Sequence, residues 1–183
     1  MIEQPQDIDL IQGIAAGKTE SLDMLYARYG SAVLNFLMAR TRDRQTAEEV
    51  LQDVMMAIWR GAKNFREESR VLTWMLTIAR NRAINAQRRK QPDIVVFEDE
   101  LNLKGHDTEP LEKVVKLDRA SAIRDAIDLL PEHHREVLIL VFYHSLSGAE
   151  VAEVLGISVG TVKSRLHRAK ETLRGLLHSE EVL

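Results

Sequence analysis

The side chains with the clearest potential for chemistry lie near the C-terminus, between Val162 and Arg174. This segment contains five basic residues and one acidic residue, Glu171. At helical spacing, one face of this segment carries short polar and basic residues: Gly160, Thr161, Lys163, Ser164, Arg165, His167 and Arg168. Arginine and lysine contact guanine edges and phosphates, while threonine and serine are short enough to allow close approach to the bases. The face is typical of a helix that reads DNA.

The residues before this face have the signals of a helix-turn-helix. Ser147 and Glu150 match a capping box, which predicts a short helix from Gly148 to Leu155. Gly156 follows as a turn residue, and Ser158 can cap the next helix. That helix has one apolar stripe, formed by Val162, Leu166, Ala169, Leu173 and Leu176. The pattern favours DNA binding over the alternative, a plain helical hairpin with a solvated basic face.

A second basic segment lies in the middle of the chain. From Arg80 to Lys90 there are five basic residues and no acid, and from Gln91 to Glu112 there are seven acids against Lys104 alone. The formal net charge of −3 therefore hides two basic patches separated by an acidic stretch.

Apolar residues recur at helical spacing through most of the chain, and strand-like alternation is sparse. We predict helices near Ser21–Tyr29, Ala32–Arg42 (after a break at Gly30), Gln45–Gly61, Val71–Arg89 and Leu111–Leu130, then helix, helix, turn, helix from Glu132 onward. Pro92, Gly105 and Pro110 mark a linker that is long for a loop within one domain. The expected fold class is all-α, with two small helical domains (residues 1–90 and 111–183) joined by a flexible acidic linker (91–110).

Composition excludes several classes of protein. With no cysteine, the chain has no disulfide, thiolate metal site or thiol switch. No apolar run is long enough to span a membrane, and the segment from Met1 to Asp7 does not resemble a secretory signal, so a cytoplasmic protein is expected. The six histidines show no metal-binding spacing, and phosphate-loop, GxSxG and dinucleotide motifs are missing. We expect neither an enzyme nor a bound cofactor or metal.

Several motifs occur together in a specific order. They are Leu25–Gly30, Ala47–Val54, Ile58-Trp59 and Thr73–Asn85 in the N-terminal half, and Leu130–Leu138, Leu146–Ala152 and Gly160–Ala169 in the C-terminal half. The chain closely resembles the extracytoplasmic-function group of the sigma-70 family, from about Ser21 to Arg174. Asn85 departs from the family, in which many members carry aspartate at this position.

The resemblance implies a role for each of three residue sets. It places Glu48, Glu49, Gln52 and Asp53 on the helix that docks on core RNA polymerase, where an acidic face suits a basic partner surface. It places Asn64, Phe65, Arg80, Asn81, Arg88 and Arg89 at the single-stranded minus-ten element, and Thr161, Lys163, Ser164, Arg165 and Arg168 at the minus-thirty-five element. For Trp74, stacking near the fork and a core position both stay open.

The expected function is that of an alternative sigma factor, which takes core RNA polymerase to specific promoter DNA and helps to open it. The resemblance further implies control by an anti-sigma factor, in stress response, with no small-molecule substrate and no direct membrane insertion. Two alternatives are a helix-turn-helix regulator with an N-terminal helical sensing domain, which would bind duplex DNA without polymerase, and an adaptor or sigma-sequestering protein, which should lack the basic recognition helix.

Overall fold

The computed structural model of the protein describes residues 6–90 and 119–180, and all regular structure in these two stretches is helical. This confirms the all-α fold class. The helices are α1 (Asp7–Ala15), α2 (Thr19–Thr41), α3 (Arg44–Gly61), α4 (Val71–Lys90), α5 (Arg119–Asp128), α6 (Glu132–Leu138), α7 (Gly148–Leu155) and α8 (Val159–Glu180). A short 3-10 turn (Ala62–Asn64) follows α3, and a π-helical turn (Ile139–Tyr143) continues α6.

The first helix, α1, was not among the predicted helices, which began near Ser21. It buries Leu10, Ile11 and Ile14 in the core. Its first residue also ties it to α2, since the Asp7 carboxylate accepts hydrogen bonds from the Arg28 guanidinium and the Tyr29 hydroxyl. Burial, and then the bond to Asp7, raise the pKa of Tyr29 to about 12.

The predicted helix break at Gly30 is wrong. The second helix runs without interruption from Thr19 to Thr41, and Gly30 is buried within it. A Cβ atom at Gly30 would lie 3.1 Å from the ring of Tyr26. The glycine therefore leaves room for an aromatic side chain one turn away, and the packing of the helix outweighs its low helix propensity.

The predictions for α3 and α4 agree with the structure to within a residue at each end. The carboxylate of Asp43 caps α3 by accepting from the Thr46 amide at 2.9 Å. The apolar stripe of α3 faces inward through Ala47, Val50, Val54 and Ile58. Because this stripe is buried, the charged residues at the intervening positions of α3 face outward.

The helix-turn-helix forms as predicted. Ser147 and Glu150 make the capping box of α7, and Gly156 ends that helix at φ 64°, in the left-handed region. The Ser158 hydroxyl then accepts from the Thr161 amide at 3.0 Å and caps α8. On the inner side of α8, Val162 and Ala169 are buried, and Leu166, Leu173 and Leu176 pack beside them.

The described N-terminal half (residues 6–90) and C-terminal half (119–180) pack against each other. Helix α4 lies on α7, and α2 lies on α6. One buried cluster runs through both, from Val71 and Met75 of α4 to Val151 and Val154 of α7. The predicted linker, from Gln91 to Glu109, lies outside the described residues. Within the parts of the chain that the structure describes, no helix combines the length and apolar character needed to cross a bilayer.

Candidate nucleic-acid and polymerase interfaces

The predicted reading face of α8 points away from the core. Lys163, Ser164 and Arg168 are exposed, while Thr161 and Arg165 are half-buried. The Thr161 hydroxyl lies 2.8 Å from that of Ser158, and the Ser164 hydroxyl donates to the Thr161 carbonyl at 3.0 Å. Both hydroxyls are therefore already oriented by local bonds, and all five residues predicted for duplex DNA lie at the start of one helix. This position suits a helix that enters a major groove with its N-terminal end.

Two histidines lie beside this face that the sequence analysis did not assign to it. His133 and His134, at the start of α6, lie close enough to Arg165 and Arg168 that these charges affect their protonation. Burial is the main cause that lowers the pKa of both imidazoles, and the arginine charges lower it further; the pKa of His134 falls to about 4. Both histidines are therefore neutral at pH 7. The adjacent pair is visible in the sequence, but its position beside α8 is decided by tertiary packing.

The outer side of α4 forms, with the end of α3, an open cavity of about 510 Å³. It is lined by Ala57, Gly61, Asn64, Trp74, Ile78, Asn81, Arg82 and Asn85. Two of the residues predicted for single-stranded DNA, Asn64 and Asn81, thus meet at one concave site. Three amides and a guanidinium line the cavity without a carboxylate, so it offers donors for a base edge or a phosphate.

The other residues predicted for the minus-ten element lie outside this cavity. Phe65 packs against Trp74, with ring centroids 4.9 Å apart, and supports the cavity wall instead of lining it. Arg88 and Arg89 are exposed near the end of α4. Arg80 is half-buried on the side of α4 that faces the C-terminal half, near Glu136; burial raises the pKa of Glu136, and the charges of Arg40 and Arg80 oppose that rise. Trp74 is half-buried: it packs against Phe65 and also lines the cavity, and its stacking near the fork stays a prediction.

The four residues predicted to dock on polymerase, Glu48, Glu49, Gln52 and Asp53, are all exposed on α3. Glu48 accepts from Arg44 at 2.8 Å and Glu49 from Gln45 at 3.2 Å, each one turn away. Met56, 47% exposed, continues the same face one turn beyond Asp53. An acidic surface with an exposed methionine at one end can bind a basic surface that has an apolar contact point.

A second concavity, of about 310 Å³, lies where the two halves meet. It is lined by Asn35, Ile127, Leu138, Ile139, Phe142 and Tyr143, and we call it the junction groove. Its surface is mostly apolar, and Phe142 and Tyr143 are 58% and 61% exposed. The Nζ atom of Lys170 lies 5.2 Å from the centre of the Phe142 ring. Exposed aromatic side chains in a groove are typical of a site that binds another protein.

A helix-turn-helix with an exposed basic face, joined to a helical half with a donor-rich cavity, is typical of a DNA-binding transcription protein. Comparison with protein families narrows this class. Residues 25–92 match the model for sigma-70 region 2, and residues 120–173 match the model for sigma-70 region 4. Together the two models cover more than half of the chain.

Full-length relatives agree with the family models. The chain is 33% identical to the RNA polymerase sigma-H factor of Pseudomonas aeruginosa, with 94% of each chain covered. It is 31% identical to the ECF RNA polymerase sigma-E factor of Haemophilus influenzae, over 94% of this chain and 96% of that one. The chain belongs to the extracytoplasmic-function group of the sigma-70 family.

Solved structures share the fold. CnrH in complex with the cytosolic domain of CnrY aligns with a TM-score of 0.67 at 23% identity, over 94% of this chain and 97% of that one. The sigma factor RpoE of Bartonella quintana, in complex with the anti-sigma factor NepR, aligns with a TM-score of 0.65 at 24% identity. The alignment covers 85% of this chain and 96% of that one.

Membership of this family assigns the chain to the factors that bring core RNA polymerase to promoters. These are initiation factors and not enzymes. The match of the N-terminal half to region 2 also favours a sigma factor over a regulator with a sensing domain, because region 2 extends over α4 and its cavity. Among the described residues, no group of three or more potential metal ligands comes together.

Proposed function

We propose that this sigma factor contacts its promoter at two places, with α8 on the duplex minus-thirty-five element and with the α4 cavity on the single-stranded minus-ten element. The observation that carries the proposal is the pairing of a basic helix face suited to a groove with a concave amide-lined site suited to one unstacked base. Duplex DNA is read through base edges in a groove, whereas single-stranded bases are read in pockets.

Each half of the chain has its own role in this proposal. Residues 1–90 bind core polymerase and the minus-ten element, 91–110 form the linker, and 111–183 bind the minus-thirty-five element. Because polymerase and promoter DNA are the partners, the proposed location is the cytoplasm. In the N-terminal half we assign Glu48, Glu49, Gln52 and Asp53 to polymerase, and Asn64, Asn81, Arg88 and Arg89 to the minus-ten strand. Phe65 supports the cavity through Trp74, and Arg80 becomes available only if the two halves separate.

The first experiment combines the protein with sigma-free core polymerase and sheared genomic DNA of its host, and sequences the 5′ ends of the transcripts. A set of starts that share two spaced motifs, and that need this protein, would support the proposal. No new starts with a competent core would contradict it. The promoters found in this way then serve for testing variants.

The duplex contact is tested with Arg165→Ala. If Arg165 contacts a base edge, we expect affinity for the minus-thirty-five sequence to fall by about 1–3 kcal/mol and base preference at one position to relax. The matched control is Arg174→Ala, an exposed arginine on α8 outside the reading face. Equal loss in the two variants would contradict a specific contact and indicate a general charge effect.

The single-strand contact is tested with Asn81→Ala. We expect promoter opening, followed by permanganate reactivity of unpaired thymines, to fall while binding to core polymerase is unchanged. Gln12→Ala, an exposed amide on α1, is the control. Normal opening by Asn81→Ala would exclude the cavity as the minus-ten site.

The polymerase contact is tested by charge reversal. Glu49→Lys and Asp53→Lys each place a positive charge on the acidic face of α3, and we expect each to weaken core binding because a basic partner would repel it. Glu20→Lys makes the same charge change at an exposed position on α2, away from this face. If all three variants bind core equally well, the assignment of α3 is wrong.

We further propose that an anti-sigma factor controls this protein by inserting apolar side chains into the junction groove. The groove is formed by α2, α5 and the chain from Leu138 to Tyr143, so one ligand there touches both halves. Phe142→Asp should relieve inhibition of transcription by the anti-sigma factor of the host, because it places a charge among apolar contacts. The control, Met24→Asp, alters an exposed apolar residue elsewhere, and unchanged inhibition of Phe142→Asp would contradict the proposal.

A further inference from the structure

The start of α6 lies against the middle of α8. Leu130, two residues before α6, is buried in a small apolar cluster with Ala169 of α8. His133 and His134 lie in the first turn of α6, three and four positions further along the chain. This packing places both imidazoles beside α8, at the residues assigned to the minus-thirty-five element.

Four nitrogen-bearing side chains meet at this place, two from each helix. They are His133 and His134 of α6 and Arg165 and Arg168 of α8, and both arginine charges act on both imidazoles. His133 is exposed, whereas His134 is half-buried. The two rings contact each other edge-on, with their centroids 4.3 Å apart. We call these four side chains the histidine–arginine cluster.

The charge of the cluster is positive. One carboxylate, that of Glu132 on α6 itself, also acts on the imidazole of His133. From α2, the guanidinium of Arg40 contacts Glu132 at 3.0 Å and also donates to the buried Glu136. One carboxylate against the two guanidinium groups of α8 leaves a net positive charge, and the imidazole N–H groups add hydrogen-bond donors. The cluster therefore suits an anion with several oxygens, such as a phosphate diester.

A helix that enters the major groove of DNA brings its flanks close to the sugar-phosphate backbones. The groove is about 12 Å wide, and a helix with its side chains is about 10–12 Å across. With α8 inserted by its N-terminal end, the side chains packed against its flank lie over one of the two backbones. His133 is the exposed imidazole of the cluster, and it is therefore the one that can reach a phosphate oxygen.

We propose that α6 makes a second contact with the minus-thirty-five duplex, in which His133 binds one backbone phosphate as an imidazolium while Arg165 and Arg168 face the groove. The inference rests on the proposed position of α8 and extends it to a helix outside the helix-turn-helix. A phosphate contact of this kind fixes the orientation of the protein on the duplex without reading its sequence. Since only the imidazolium carries a charge, the strength of the contact depends on pH.

The sign of the pH dependence follows from the surroundings of the two rings. Burial, and then the charge of Arg165, lower the pKa of His133 below its ordinary value of 6.5 in the free protein. His134 stays neutral, because its Nδ1 atom is buried without a hydrogen-bond partner among the described residues and its pKa is about 4. A bound phosphate favours the charged form of His133 and raises its pKa. Binding thus takes up one proton between the two pKa values, and through that range affinity rises by up to about tenfold per pH unit as the pH falls.

The first test measures the affinity of the holoenzyme, formed from core polymerase and this chain, for a promoter fragment found by start-site sequencing. Lowering the pH from about 8 to about 6 should increase the affinity of the wild type at least about threefold more than that of His133→Gln, because glutamine keeps a hydrogen-bond donor and cannot take up the proton. His133→Arg carries its charge at both pH values. It should bind at least as tightly as the wild type at the lower pH and vary with pH no more than His133→Gln does.

Salt dependence gives a second measurement, which a loss of packing alone would not change in this way. Each phosphate contact adds about 0.9 to the magnitude of the slope of log affinity against log salt concentration. The slope of the wild type should therefore be steeper at the lower pH by up to about 0.9. His133→Gln should have the same shallow slope at both pH values, and His133→Arg should have the steeper slope at both.

The control concerns the other imidazole near the reading face. His167→Gln changes an exposed side chain of α8 that lies 3.4 Å from Glu171, and it should keep the pH dependence of the wild type. Loss of the pH dependence in His167→Gln but not in His133→Gln would overturn the proposal. The same pH and salt dependence in the wild type and in both His133 variants would overturn it as well.

Failure of this inference and failure of the proposed function give different results. If Arg165→Ala weakens binding to the minus-thirty-five sequence while the His133 variants match the wild type, α8 lies in the groove and only the phosphate contact is wrong. If neither Arg165→Ala nor the His133 variants change binding, the proposed position of α8 fails together with the phosphate contact.

Discussion

The stability of the protein should depend on the neutral state of the buried imidazole of His144. His144 is 6% exposed at the end of the π-helical turn, between the rings of Phe36 and Tyr143. Its Nε2 atom has no hydrogen-bond partner among the described residues. Burial lowers the pKa of His144 to about 4. The folded chain therefore holds this residue uncharged, and protonation must work against folding.

The sign and size of the effect follow from linkage. The unfolded chain binds a proton at His144 with a pKa of about 6.5, and the folded chain does so only near 4, so stability is complete above pH 6.5 and falls as the pH drops towards 4. One pKa unit corresponds to about 1.4 kcal/mol. Between pH 7 and pH 5 the loss from this residue is about 2 kcal/mol, which is a large part of the stability of an ordinary domain.

The measurement compares urea unfolding of the wild type and His144→Leu at both pH values, followed by circular dichroism. The comparison is needed because other groups titrate as well. The lowered pKa values of His133 and His134 add to the loss in both proteins, whereas burial raises the pKa of Glu136, which makes folding more favourable as the pH falls. Leucine cannot be protonated and is apolar. Between pH 7 and pH 5 the variant should therefore lose about 2 kcal/mol less of its free energy of unfolding than the wild type does. His167→Leu, which changes an exposed imidazole, is the control. Equal losses in wild type and His144→Leu would refute the reasoning.

Three further predictions concern the C-terminal half, each measured as a change in the free energy of unfolding. Gly156→Ala should cost about 1–2 kcal/mol, because its φ of 64° lies in the left-handed region that disfavours alanine. Gly175→Ala, at an exposed position within α8 with open space around it, should stabilise the protein instead. A loss of stability in both variants would contradict the conformational argument. Leu140→Ala should cost about 2–5 kcal/mol, because the side chain is fully buried, and a loss below about 1 kcal/mol would mean that the site is open to water. Ser147→Ala should cost about 1 kcal/mol through loss of the α7 cap, while the exposed Ser31→Ala should cost almost nothing.

Local signals in the sequence determined most of the helices and the whole helix-turn-helix. The Ser147–Glu150 capping box, the turn at Gly156 and the cap at Ser158 depend on residues within four positions of one another, so their outcome could be derived without knowing the fold. The apolar stripe of α3 likewise fixed which of its side chains face outward, including Glu49 and Asp53. Motif order then identified the family, which the comparisons confirmed.

Contacts between residues far apart in the chain were decided only by tertiary structure. Gly30 is buried within α2, which packs along α1, α3 and α4, and this packing between distant parts of the chain outweighs the low helix propensity of glycine. Arg80 faces the C-terminal half and not the cavity, although its neighbour Asn81 lines the cavity, because successive helical residues point about 100° apart. The Arg40–Glu136 pair joins positions 96 residues apart, and local periodicity carries no information on which charges will meet when two apolar faces pack.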